Sequence, residues 1–152
     1  MSHWDPRRAS VVLGLFMASA CRSSDSPCAC INAYQAIATG FNVATHKNPA
    51  DTAARASFTI NGSGTSFVFT YALDVPPHGT VNSIQLLKGA TVEGTLCSAA
   101  PCPANQIIKG VTDTTLFRAM QNFQLRVRVY TDSDPAGAAD GAVFPEPGNF
   151  GY

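Results

Sequence analysis

Two runs in this chain alternate apolar and polar residues for long enough to rule out most folds. In SFVFTYALDV (Ser66 to Val75), Phe67, Phe69, Tyr71, Leu73 and Val75 share one face; in NFQLRVRVYT (Asn122 to Thr131), Leu125, Val127 and Val129 alternate with Gln124, Arg126 and Arg128. A period of two puts every second side chain on one side of a β-strand, so each run predicts a strand with one buried and one wet face. That is the pattern of antiparallel sheets, because parallel sheets are covered on both sides.

The intervening sequence supplies further strands and the turns between them. RASFTIN (Arg55 to Asn61) points Phe58 and Ile60 one way and Ser57 and Thr59 the other, and NGSG (Asn61 to Gly64) tolerates the positive φ of a tight reversal, which predicts a hairpin with the run from Ser66. The prolines of PPHG (Pro76 to Gly79) end that run because proline has no N–H to give a ladder. TVNSIQLLKG and ATVEGTLC read as two more strands. The pattern changes once: Thr112 or Asp113 can cap a short helix in which Leu116, Phe117 and Met120 share a face, ending near Asn122. The closing FPEPGNFGY has too much proline for a central strand and is expected at an edge or in a loose tail. The predicted fold class is all-β, an antiparallel β-sandwich or flattened Greek-key barrel with one short helix.

At 152 residues, 45% apolar and 13% charged, the chain suits one hydrophobic core. Ten basic and ten acidic residues cancel, and no basic stretch is interleaved with aromatics, which argues against nucleic acid as a partner. Arg7 and Arg8 precede ASVVLGLFMASA (Ala9 to Ala20), an apolar stretch too short to span the ~30 Å of a bilayer as a helix. Residues 1–20 read as a signal peptide, 21–35 as a polar tether and 36–152 as the β-domain. Ala18, Ser19 and Ala20 lead into Cys21 as in a bacterial lipobox, although leucine is the usual residue at the position of Ala18. Cys21 is therefore the candidate for lipidation, and ordinary cleavage near Ala20 is the alternative. The protein is expected outside the cytoplasm, secreted or in the cell envelope.

Assigning Cys21 to lipid leaves Cys28, Cys30, Cys97 and Cys102. Cys97 and Cys102 bracket the short loop SAAP and are expected to form a local disulfide, while Cys28 and Cys30 are left to reach that loop or stay unpaired. Zinc held by the four is the alternative, although C-x-C and C-x4-C in an exported chain favour disulfides.

The segment TLFRAMQNFQLRVRVYTDSDPAGAADGAV (Thr115 to Val143) resembles the end of the CHRD (chordin-type) domain, which reads as a helix with Leu and Arg, then GN-x-Y-V-N-V-H-T, then N-P-G-G-E-I-R-G-Q. Arg118, Asn122, Val127, Val129, Thr131, Pro135, Gly137 and Gly141 fall in register with that pattern. ARASFTINGSGTSFVFTYALDV resembles the family's opening hairpin, and VNSIQLLKGA stands where it often has V-T-A-A-H-I-H-G-P-A, so the resemblance covers about Ile37 to Phe144. The departures bear on function. The two histidines of H-I-H are Gln85 and Leu87 here, the histidine of V-H-T is Tyr130, and the glutamate and arginine of G-E-I-R-G are Ala138 and Asp140. Neither an amide nor a leucine replaces imidazole on copper or zinc, so metal chemistry suggested by the family's histidines does not carry over.

Catalytic signatures are sparse. His46 and His78 lie in polar loops far apart in sequence, no G-x-S-x-G elbow is present, and Glu93 and Glu146 are the only glutamates; an Asp74 and Glu93 pair would face each other only by accident of folding. An enzyme is not expected. The acidic loop YTDSDPAGAADG (Tyr130 to Gly141) offers Asp132, Asp134 and Asp140 as candidate calcium ligands, but an EF-hand would want oxygen donors where Ala136 and Val143 stand. The simpler reading is a solvated turn built on Pro135 and the glycines. The expectation is thus a non-catalytic binding or structural module without a required cofactor, whose partner is an unidentified protein or envelope component meeting a sheet face, the Arg126 and Arg128 strip or the loops. A calcium-binding extracellular protein using the Asp132 to Asp140 loop is the alternative, and self-association through an edge strand or the tail is a third.

Overall fold

The computed structural model describes residues 33–43, 49–63 and 66–146. The signal peptide, Cys21, Cys28, Cys30, His46 and the last residues of the proline-rich tail lie outside them. Among the described residues, eight strands form one antiparallel sheet: β1 (Ala33–Thr39), β2 (Arg55–Ser63), β3 (Ser66–Val75), β4 (Val81–Lys88), β5 (Thr91–Cys97), β6 (Asn105–Thr112), β7 (Leu125–Thr131) and β8 (Ala139–Pro145). Their order is β5-β4-β7-β8-β1-β2-β3-β6. β3 pairs with β6 and β4 with β7, each with two other strands between them in sequence, so these pairings are made by long connections and not by hairpins. The sheet curls until it is nearly closed and barrel-like, with one helix, α1 (Thr114–Gln121), between β6 and β7.

Curling lets one face bury itself. Tyr34 and Ala36 of β1, Phe58 and Ile60 of β2, Phe67, Phe69 and Tyr71 of β3, Ile84 and Leu86 of β4, and Leu125, Val127 and Val129 of β7 belong to a single core cluster. The Phe, Ile, Leu and Val side chains among them each contribute about 1.5–3 kcal/mol when fully buried. In the β2–β3 hairpin Phe58 lies directly opposite Tyr71, with ring centroids 6.0 Å apart. Asp113 caps α1, its carboxylate accepting from the Thr115 and Leu116 N–H groups at 2.7 and 3.1 Å. Leu116, Phe117, Ala119 and Met120 are buried, and Phe117 meets Phe67 of β3 at 5.6 Å. The helix stops at Phe123, whose φ of 55° takes the left-handed conformation usually given to glycine.

Four expectations need correction. The tail was expected at an edge, but Phe144 and Pro145 finish β8, which lies between β7 and β1; Pro145 is tolerated because it is the strand's last residue. β1 begins at Ala33, so Ala33, Tyr34 and Gln35 belong to the sheet and not to the tether expected over 21–35. The β2–β3 pairing runs on to Ser63 opposite Ser66, so Asn61 and Gly62 are strand residues and not the turn. The apolar face of β3 runs out before Val75: a register shift between Arg55 and Ala56 disturbs the ladder there, and Val75 is exposed.

Candidate functional site

The cysteine loop is closed by a disulfide between Cys97 and Cys102, with Cα atoms 6.0 Å apart, and the Cys102 N–H donates to the Val81 carbonyl at 2.7 Å. This pair is therefore committed to a structural bond at the end of β5, which removes it from any zinc site built on the four cysteines.

The three aspartates of the acidic loop go to three different tasks. Asp132 bridges to the loop before β4: its carboxylate accepts from the Thr80 N–H at 2.8 Å, and its own N–H donates to the Thr80 carbonyl at 3.1 Å. The Thr80 hydrogen bond holds the Asp132 carboxyl below its ordinary value, opposed by partial desolvation and helped by Ser133. Asp134 is buried inside the β7–β8 connection, where its N–H donates to Thr131 Oγ1 at 2.9 Å and its carbonyl accepts from the Gly137 N–H at 3.1 Å. Asp140 is not in the turn at all but in β8. No three His, Cys, Asp or Glu side chains gather into a metal-holding group among the described residues. The calcium reading thus has no gathered ligand set there. His78 is exposed, as expected of a loop histidine. Asp74 is engaged by Ser57 at 3.2 Å and Arg55 at 3.9 Å, on β3, which is not a ladder neighbour of the β5 that carries Glu93.

The arginine strip has a structure that its alternating pattern alone did not convey. Arg126 and Arg128 point to the outer face of β7, and β8 presents Asp140 opposite Arg128 and Ala142 opposite Arg126. Asp140 Oδ1 accepts from both Nε (2.6 Å) and Nη2 of Arg126, while Oδ2 accepts from Arg128 Nε at 2.6 Å. Asp140 is only 1% exposed although it lies on the outer face, where both guanidiniums close on its carboxylate. Burial lowers the Arg128 guanidinium's affinity for its proton, but the Asp140 hydrogen bond and charge outweigh this, with Tyr130 adding, and the net shift is upward. Gly137, at φ 126°, makes room for the Arg128 stem; a Cβ there would sit 2.8 Å from Arg128 Cδ. Gly141 brings β8 close to β1, since a Cβ there would come within 2.2 Å of the Ile37 carbonyl oxygen.

Beside this cluster the outer face is concave. Ala142 is short, and around it stand Arg126 of β7, Phe144 of β8, Gln35 and Ile37 of β1, and Asn42 from the 3-10 turn at Gly40–Asn42, together outlining a cleft of about 370 Å³. Asn42 Nδ2 donates to the Asp140 carbonyl at 2.9 Å, which pins that turn against β8. Ile37 and Phe144 are about half exposed, and Phe41, adjacent to Asn42, is 82% exposed. This is an exposed apolar surface on the middle of a sheet, left uncovered among the described residues and interrupted by a cation and two amides.

These features define an all-β, nearly closed antiparallel domain with an open cleft on its outer face. Comparison with family models, curated proteins and solved structures finds no match. Among the described residues, no helix is long and apolar enough to cross a membrane.

Proposed function

We propose that the chain is a non-catalytic binding module of the CHRD type, exported to the cell surface or envelope and anchored there if Cys21 is lipidated, which holds its ligand in the cleft between β7, β8 and β1. The observation that carries this reading is the Arg126–Asp140–Arg128 cluster beside the half-exposed Phe144 and Ile37. A buried carboxylate that fixes two guanidiniums holds polar groups in place at a surface, and preorganised polar groups at the rim of an apolar cleft are what small-ligand sites share. Asp140 has both oxygens committed to arginine, which suits a positioning role and not proton transfer. The resemblance over Ile37 to Phe144 supports the family assignment, and the apolar run before Cys21 supports export.

Adsorption of the purified chain to cell-envelope preparations tests the reading. Wild type is expected to be retained and Ala142→Trp, which fills the cleft from the outer face, to be released while melting as wild type does. Equal retention of both would overturn the cleft as the site, and no retention of either would overturn the module. Mass spectrometry of the mature N-terminus decides between the tethered and the free form.

A further inference from the structure

Resting on the cleft as the binding site, we infer that its ligand is a carboxylated sugar, a uronic-acid unit of an acidic polysaccharide. Three features of the cleft select this class. The first is charge: two arginines share one carboxylate, so these three side chains together carry a net positive charge. Arg126 commits only its Nε–H and an Nη2–H to Asp140, keeps a side chain 42% exposed, and lines the cleft, and a guanidinium has further N–H donors suited to a carboxylate. The second is the pair of amides, Gln35 on one strand and Asn42 on the adjoining turn, each both donor and acceptor, as a ring of hydroxyls requires. The third is the apolar side: Ile37 and Phe144 offer exposed surface to the C–H face of a pyranose ring.

The strand order disfavours an extended peptide. β8 and β1 are central, with ladder partners on both sides, so their backbones have no free edge for a peptide strand to join. A volume of about 370 Å³ lies at the small end of the ~300–1,000 Å³ of small-ligand clefts and suits one or two sugar rings at a time.

Titration calorimetry of the full chain with trigalacturonate, its methyl ester and the neutral trisaccharide maltotriose tests the inference. Trigalacturonate is expected to bind, with affinity falling as salt rises, and methyl esterification, which keeps the rings and removes the charge, to weaken it by about tenfold or more. Phe144→Ala, at an exposed position, is expected to weaken it roughly three- to tenfold without changing the melting temperature. Equal binding of acid and ester, or undiminished binding of trigalacturonate to Ala142→Trp, would overturn the inference. If none of the three sugars binds while Ala142→Trp still loses envelope retention, the sugar class is wrong and the cleft reading stands.

Discussion

Asp140 and Asp51 are both buried, at 1% and 0% exposure, yet they are treated in opposite ways by the fold. Asp140 sits mid-strand, where the ladder delivers two arginines to it, and each of its oxygens accepts at least one hydrogen bond from a guanidinium. Asp51 sits in the 3-10 turn Pro49–Ala53 at the end of the barrel; its Oδ1 accepts from the His78 N–H, but its Oδ2 has no hydrogen-bond partner among the described residues. A sheet repeats its neighbours with fixed spacing, so a charge on one strand can be met by a charge placed on the next. A turn packed over a barrel end has no such ladder, and its polar groups depend on whatever loop lies nearest.

Removing each charge therefore has a different cost. Asp140→Asn is expected to be the larger, about 2–3 kcal/mol, because it leaves two guanidiniums facing an amide; it falls short of the ~3–5 kcal/mol of a fully buried broken pair because both arginines can turn toward water. Chemical denaturation would measure it, and a loss under ~1 kcal/mol would mean that the cluster adds little to the fold. Asp51→Asn keeps the oxygen that accepts from His78 and discards a poorly partnered charge, so it is expected to stay within about 1 kcal/mol of wild type in either direction. A loss as large as that of Asp140→Asn in the same assay would erase the distinction between strand and turn.

Much of this arrangement was legible in the residues, and the failures are instructive. The hairpin of β2 and β3, the cap at Asp113 and the burial of Leu125, Val127 and Val129 follow from periods of two and 3.6 and from a single carboxylate placed before a helix. The site was harder because it depends on register. A β7–β8 hairpin turning about Asp134 and Pro135 sets Arg128 opposite Asp140, so the opposite charges shared a face in a pattern that was available to be read. Closeness in sequence groups Asp140 with Asp132 and Asp134 instead, and proximity along the chain is a poor guide where alternate residues face opposite ways. Pro145 misled for the converse reason: proline's missing N–H excludes it from strand interiors, but at a strand's end it costs little, and the local rule says nothing of which strands flank it. The cleft itself had no signature, since Gln35, Asn42 and Phe144 come together only through the β1–β8 pairing.

The last test of the contrast concerns Tyr34, whose hydroxyl shares the predicament of Asp51 Oδ2 without its charge. It is buried on the inner face of β1 with no hydrogen-bond partner among the described residues. Tyr34→Phe removes that unsatisfied group and leaves the ring in place, and it is expected to gain about 1 kcal/mol, or roughly 4 °C in melting temperature. Burial raises the Tyr34 pKa above 10.0, so the unfolded chain loses this proton at a lower pH than the folded one. The stability tied to that difference is fully present below pH 10 and is lost as pH rises from there through the folded value. Tyr71 is raised by burial as well, and its hydroxyl has Gln106 as a partner at 3.2 Å. The variant should therefore lose less stability than wild type on going from pH 9 to pH 11, while Tyr71 keeps part of the slope in both. A Tyr34→Phe protein less stable than wild type at pH 7 would show that the hydroxyl is hydrogen-bonded after all, and the contrast between met and unmet polar groups would then rest on Asp51 alone.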